Sequence, residues 1–400
     1  MSSAPILPGA TIGFLGGGQL GRMTAFAARS MGYDVAVLDP DPACPAASVA
    51  SFVVTAPYSD VEAALRLARR SDVVTLEIEQ IPRATLEAVA AERPLRPGVE
   101  PVWIIQDRGR QKDWLRAQGF PLGAHAVVES EEACVQAVRT LGPSIIKSCF
   151  GGYDGRGQAR VRDGDDAATA WRTIGTSRAV VEAFLDIAHE VSVLVARAPD
   201  GSTTVFPVAR NHHTGGVLTW SVTPTGMDGA LEDEARALGR AVAETLGIVG
   251  LLAVEMFLLT DGRLLVNELA PRPHNTFHAT ERACDTSQFE QLVRSVCSLP
   301  FGDTSIIRPA AIANILGDLW TPDAPRFTDA LRVPGSRLHL YGKAKARPGR
   351  KMGHISATGA TGEEALRRTL DAYDALGGLP VERPAGAWPS APARPPSATP

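Results

Sequence analysis

The chain is 400 residues long and 44% hydrophobic, which exceeds one typical domain and supplies cores for two or three. Its formal net charge of -4 lacks the basic surplus of a dedicated nucleic-acid binder. Five cysteines (Cys44, Cys134, Cys149, Cys284, Cys297) form no C-x-x-C pair and no histidine-interleaved spacing, so they read as free thiols of a reducing compartment.

In chain order, no basic stretch followed by an apolar one opens the sequence, so no secretory signal is expected. From residue 11 to about 107, short β-rich runs (TIGFLG, DVAVLD, DVVTLEI) alternate with helical stretches at 21–31 and 61–69. That alternation predicts a parallel sheet with crossover helices in a domain over 1–107. The pattern then changes. An Arg/Lys-rich helix over 108–118 leads into the strand PSIIKS and a glycine-rich loop. The strands AVVEAFL, HEVSVLVAR and TVFPVAR follow, then a helix over 231–246 and the pair LLAVEMFLL and RLLVNEL. Mixed α+β structure with hairpins is expected over 108–304. The block 305–383 carries short strands around a basic segment and a helix near 361–376. Residues 384–400 are Pro/Ala/Ser-rich and nearly uncharged, the composition of a disordered tail. The most apolar stretch, 247–259, is too short to span a bilayer and contains Glu255. A cytoplasmic protein without membrane or nucleic-acid partners is expected.

The first strong motif is GGGQLG at 16–21, which fits G-x-G-x-x-G between a strand and a helix. Asp39 closes the next strand, where a dinucleotide-binding fold holds a ribose. Glycines let backbone N–H groups approach any anion at a helix N-terminus, however. Nicotinamide or flavin binding, another phosphate and a bare turn all stay open on these residues.

The most informative stretch is LLAVEMFLLTDGRLLVNELAPR. Asp261-Gly262 between apolar runs is a strong hairpin signal. With those two residues as the turn, Leu258 faces Leu265 and Glu255 faces Glu268. Two carboxylates about 5 Å apart on one face repel unless something neutralises them. Paired Mg²⁺ ions carrying ATP phosphates would do so; a solvated rim pair is the alternative.

Lys147 ends a strand ahead of GGYDGRGQ (151–158), a loop flexible enough to close over phosphates while presenting Tyr, Asp and Arg. Here the chain resembles the 5-(carboxyamino)imidazole ribonucleotide synthase family of the ATP-grasp superfamily. The residues that carry the resemblance are GGGQLGRM (16–23), GGYDGRGQ, NELAPRPHN (267–275), TSQFEQ (286–291) and RPGRKMGH (347–354), in order along nearly the whole chain.

The resemblance implies an ATP-grasp fold: a Rossmann-like pre-ATP-grasp domain, a central module of two subdomains with ATP between them, and a small C-terminal domain. Arg108 and Lys147 would contact phosphates, with Gly152, Tyr153, Asp154, Gly155, Arg156, Gly157 and Gln158 closing over the nucleotide. Glu182, Ala183, Phe184 and Leu185 would form the hinge that reads adenine, Glu190 would hold the ribose and His213 would lie beside the nucleotide. Glu255 and Glu268 would be the magnesium carboxylates, with Asn267 next to them. In the family reaction ATP converts bicarbonate to carboxyphosphate, and the carboxyl group passes to the amine of aminoimidazole ribonucleotide. Arg272, His274 and Asn275 are placed for bicarbonate, and Tyr153 and Asp154 for the amine. Gln19, Leu20 and Arg156 would serve the ribonucleotide, and the family suggests a homodimer.

The basic segment YGKAKARPGRK (341–351) fits this picture. Pro348-Gly349 makes a tight turn, and Lys343, Arg350 and Lys351 are expected to hold the acceptor's phosphate opposite Gln19. His274 and His278 are four residues apart, but Pro273 disfavours a helix and no third soft ligand is near in sequence, so zinc is not expected. Two departures border the expected acceptor site. Phe277 stands where the family pattern NSGH has glycine; if the ring merely fills space, Phe277→Gly is expected to be tolerated or to improve turnover, and if the chain is a diverged relative, activity with its own acceptor is expected to fall. Cys149-Phe150 replaces small residues. A related ligase with another acid and amine, and an NAD-dependent oxidoreductase, remain as alternatives.

Overall fold

The computed structural model describes residues 4–152, 157–378 and 381–383. The runs Thr11–Leu15, Asp34–Asp39, Phe52–Thr55 and Val73–Leu76 form one parallel sheet, with Thr11–Leu15 between Asp34–Asp39 and Val73–Leu76. Its central strands are buried almost end to end, as crossover helices covering both faces require. One such helix, Val61–Arg69, starts where Asp60 accepts from the Ala63 N–H at 2.9 Å.

A second sheet is antiparallel, in the order His125–Val128, Ala179–Ala183, Ser144–Ser148, Gln158–Val161. Helices Glu131–Leu141 and Gly164–Ile174 bury Val128, Ile146 and Val181 against it. The third sheet has nine strands. Leu264–Ala270, Gly250–Leu259, Ile187–Arg197, Ala209–Thr214 and Val217–Thr223 come from the central segment, with Thr203–Val205 beside Ile187–Arg197. Ala310–Leu316, Lys351–Thr358 and Arg337–Leu340 continue it without a break, since Trp220 pairs with Ala313. Residue 305 therefore divides the chain but not the sheet.

Two local expectations are corrected. TVFPVAR is two strands, because Pro207 has no N–H to give a ladder. The hairpin loop has three residues, Thr260, Asp261 and Gly262. The Leu259 N–H donates to Arg263 O at 2.9 Å, and Gly262 takes a φ of +85° that disfavours any side chain. Leu258 thus pairs with Leu264, not Leu265. The ladder slips back at a bulge that leaves Asn267 over, so Glu255 still faces Glu268.

Candidate active site

The bulge places Asn267 and Glu268 together at partly exposed positions, opposite the more deeply set Glu255. Burial pushes the Glu255 carboxyl up to about 7; Glu268 and Glu190 add to the rise, and His213 opposes it. Glu255 Oε1 lies 3.4 Å from His274 Nε2, and Glu268 Oε1 lies 3.4 Å from Arg108 Nη2. Arg108 begins helix Arg108–Ala117 and also donates to Gly152 O at 2.6 Å and Ser148 O at 3.1 Å. It ties the start of the glycine loop to the carboxylate hairpin.

Lys147, near the end of Ser144–Ser148, pairs in register with Gln158 across that loop. Tyr153, Asp154, Gly155 and Arg156 lie outside the described residues, as does the expected tail at 384–400. Gly157 closes the hairpin by accepting from Ser148 N–H at 2.8 Å. Glu182 is held on both sides: Lys147 Nζ is 2.5 Å from one oxygen and Lys112 Nζ 2.7 Å from the other. Burial opposes ionisation of Glu182, but the two ammoniums hold its pKa well below the usual carboxylate range. The hinge amides of Ala183 and Phe184 donate to Ala124 O and Pro143 O, so Leu185 follows as the next amide of that segment.

Glu190 pairs in register with Asn211 and reaches diagonally to His213 Nδ1 on the adjacent strand. Burial works against protonating His213, yet Glu190 outweighs it and raises the pKa. Both residues line a cavity of about 340 Å³ with His189, Arg210 and Trp220.

Beyond the hairpin, Arg272 forms a fork to Glu79, 2.5 Å through Nε and 3.1 Å through Nη2. His274 is partly buried, and desolvation, reinforced by Arg272 and Lys351, drops its pKa well below the ordinary value. Its Nδ1 meets Thr276 Oγ1 at 2.8 Å, and its backbone N–H donates to Gln288 Oε1 at 2.8 Å. Asn275 is only 7% exposed, yet neither atom of its amide finds a hydrogen-bond partner among the described residues. A buried, unsatisfied amide costs about 1–3 kcal/mol and signals a missing partner. Of the three, His274 reaches Glu255, while Arg272 is held by Glu79.

The first glycine loop packs more tightly than sequence suggested. A Cβ on Gly17 would lie 2.4 Å from Cys44 Sγ, and one on Gly18 2.3 Å from Glu77 Oε1. Gly17 N–H donates to Asp39 at 2.8 Å and Gly18 N–H to Glu77 at 3.1 Å. Asp39 also accepts from Tyr58 Oη at 2.9 Å and Asp41 N–H at 2.8 Å, so both its oxygens are engaged inside the fold and not aimed at a ribose. Gln19 is partly exposed at the helix start, whereas the Leu20 side chain is core, clustered with Met23, Phe289 and Tyr341. Burial pushes the Glu77 carboxyl up to about 7 against the pull of Arg272.

In the basic segment, the expected turn forms: Arg350 N–H donates to Arg347 O at 3.0 Å, with Gly349 at φ +70°. Lys343 Nζ donates to Lys351 O at 2.7 Å. Lys351 lies close enough to His213 and His274 to depress protonation of both. Arg350 Nη1 instead binds Lys345 O at 2.8 Å within its own loop.

Phe277 requires a correction. It is 2% exposed and belongs to the apolar core with Leu218, Ala279 and Ile312, in a backbone conformation any residue adopts. The ring fills the core, so its removal would leave a cavity. Cys149 is likewise buried, its thiol pushed up to about 11 by burial, while Phe150 is exposed.

Sequence reasoning missed Lys112, Glu77 and Glu79. Lys112 lies one helical turn after Arg108, on the same face, which was a readable signal. Glu77 and Glu79 follow the carboxyl end of Val73–Leu76, where open parallel sheets bind ligands.

Comparison with known proteins agrees with this geometry. Residues 9–106 match the ribonucleotide synthetase preATP-grasp domain, 113–289 the ATP-grasp domain, and 310–368 the phosphoribosylaminoimidazole carboxylase C-terminal domain. The chain is 40% identical over 360 residues to the N5-carboxyaminoimidazole ribonucleotide synthase of Bacillus subtilis, covering 89% of this chain and 93% of that one. The Brucella melitensis enzyme of the same name is 39% identical over 359 residues, covering 89% and 98%. Among solved structures, an ADP complex of an N5-carboxyaminoimidazole ribonucleotide synthetase superposes with a TM-score of 0.87 at 40% identity, covering 94% of this chain and 99% of that one. The Aspergillus clavatus synthase with ADP and 5-aminoimidazole ribonucleotide gives 0.84 at 31% identity, covering 92% and 98%. With the fold, the paired glutamates and these matches in place, the chain belongs to the N5-carboxyaminoimidazole ribonucleotide synthase family of ATP-grasp ligases.

Proposed function

We propose that the chain uses ATP and bicarbonate to carboxylate 5-aminoimidazole ribonucleotide, giving 5-carboxyaminoimidazole ribonucleotide in purine biosynthesis. The supporting observation is Asn275, a buried amide with no partner among the described residues, which directly follows His274 in the chain. A small planar anion with donor and acceptor oxygens, such as bicarbonate, satisfies it.

In the reaction a bicarbonate oxygen bonds to the γ-phosphorus of ATP and the bond to ADP breaks. The amine nitrogen then bonds to the carboxyl carbon, the carbon–oxygen bond to phosphate breaks, and the amine loses a proton. Arg272, held rigidly by Glu79, offers fixed positive charge to the anion. His274 stays neutral and adds a hydrogen bond without more charge. Lys147 and Arg108 receive the phosphates, Leu185 the adenine edge, and Glu190 with His213 the ribose. Tyr153 and Asp154 position the amine, while Gln19, Arg156, Lys343, Arg350 and Lys351 hold the acceptor's phosphate. Glu255 and Glu268, hard oxygen donors facing each other on one hairpin, fit two Mg²⁺ ions. Bound magnesium would neutralise phosphate charge. The reading includes a cytoplasmic homodimer, which rests on the family and which sedimentation and cell fractionation test.

A coupled assay of ADP release tests the reaction. Release should require both bicarbonate and aminoimidazole ribonucleotide, and release indifferent to the ribonucleotide would overturn the proposal.

A further inference from the structure

Three segments far apart in sequence converge behind the bicarbonate residues. The short helix Thr280–Ala283 brings Glu281, strand Arg337–Leu340 brings His339, and strand Lys351–Thr358 brings His354. His339 and His354 are direct partners across the two strands, with rings stacked at 5.1 Å. One carboxylate oxygen of Glu281 and one nitrogen from each ring all lie within 4.8 Å of one another, and Glu281 Oε2 is 4.0 Å from His339 Nδ1.

The surroundings fix these donors as ligands to a metal are fixed. Tyr341 Oη bonds His354 Nδ1 at 3.0 Å and so sets that ring's orientation. His278, which had no soft neighbour in sequence, stacks on His354 at 4.7 Å. Gln288 Nε2 contacts His278 Nδ1 at 3.2 Å, while the buried His278 Nε2 has no partner among the described residues. His278, Glu281, His339 and His354 line one narrow gap, together with Arg282, Arg337 and Ser356. The carboxylation uses none of these four.

The gap has no room for a water molecule. A metal ion needs none, because its bonds to imidazole nitrogen and carboxylate oxygen are about 2.0–2.2 Å long. The three donors, now within 4.8 Å of one another, would draw closer on binding one ion. Arg282 and Arg337 repel an ion held by charge alone, which selects against Mg²⁺ and for an ion that bonds imidazole directly.

We propose that Glu281, His339 and His354 form a site for a divalent transition-metal ion of the zinc type, with His278 as a further donor. The ion would clamp the strands flanking the basic segment onto the turn that follows Arg272–Asn275.

The test is titration of chelator-treated full-length protein with Co²⁺ and Zn²⁺. One equivalent per chain is expected, with tetrahedral cobalt absorption, no thiolate charge-transfer band and a higher melting temperature. His339→Gln, checked for folding by circular dichroism, should weaken cobalt binding tenfold or more, and Glu281→Gln should repeat that loss. Glu268→Gln should bind the ion as the parent does. No stoichiometric binding by the unaltered protein, a thiolate band, or binding that Glu268→Gln abolishes and His339→Gln spares would overturn the site.

Discussion

Glu182 is shared by Lys112 and Lys147, and the sharing has a kinetic consequence. If ATP draws Lys147 toward its phosphates, as proposed, the Glu182 carboxylate would stay paired because Lys112, only 7% exposed, remains beside it. Removing Lys112 forces Lys147 to choose, since an unpaired buried charge is strongly unfavourable. Lys112→Met should therefore raise KM for ATP about tenfold, ~1.4 kcal/mol, and leave KM for the ribonucleotide unchanged in steady-state kinetics. Unchanged KM for ATP would show that Lys147 does not depend on its neighbour. Phe277 makes the opposite point, that a residue next to a site need not serve it. Its ring is fully packed, so Phe277→Gly should cost about 3–5 kcal/mol through the cavity it leaves. A lower denaturation midpoint with an unchanged acceptor requirement is the expected result. A stable variant with altered acceptor preference would return Phe277 to the site.

At the scale of elements, the hairpin Gly250–Leu259 and Leu264–Ala270 carries the magnesium proposal. Two like charges opposite each other destabilise the metal-free hairpin. Glu268→Gln removes one of them, so stability should hold or rise slightly while magnesium-dependent turnover falls at least about a hundredfold, equivalent to ~2.7 kcal/mol. Near-normal turnover would remove Glu268 from the metal site. This pairing was legible because alternating apolar runs around Asp261-Gly262 announce a hairpin. The route to it was not: a longer loop and the Asn267 bulge are opposite one-residue errors that cancel at Glu268. The strands of the parallel sheet were legible for the same reason of pattern. Lys112 on Glu182, and the meeting of His278, His339 and His354, were not, because only tertiary packing joins segments so distant in the chain.

Across the whole molecule, the unbroken nine-stranded sheet joins the C-terminal strands at one end to the carboxylate hairpin at the other. One contact then sets the basic segment against the first domain. Arg22 Nη1 reaches Tyr341 O at 3.4 Å, and it does so over Gly342, where a Cβ would lie 2.2 Å from the guanidinium. Gly342 also has a φ of +76°, so a side chain there is excluded twice. This close approach sets Gly342, the residue before Lys343, against the helix that begins at Gln19, the arrangement a phosphate held between the two segments would need. An ammonium contributes to such a contact as a point charge, worth about 1.5–3 kcal/mol when charge-assisted. Lys343→Ala should accordingly raise KM for the ribonucleotide about tenfold or more. KM for ATP should change little, because the proposed phosphate and adenine residues Lys147 and Glu182 lie on the four-stranded antiparallel sheet and not on the strands that flank the basic segment. Arg350→Ala should have the smaller effect, since its guanidinium is already engaged by Lys345 O. Because Lys343 also holds Lys351 O, loss of shape must be separated from loss of charge. Lys343→Met keeps most of the stem without the ammonium, and equal weakening of both substrates in that variant would show that the segment supports the fold and not the acceptor.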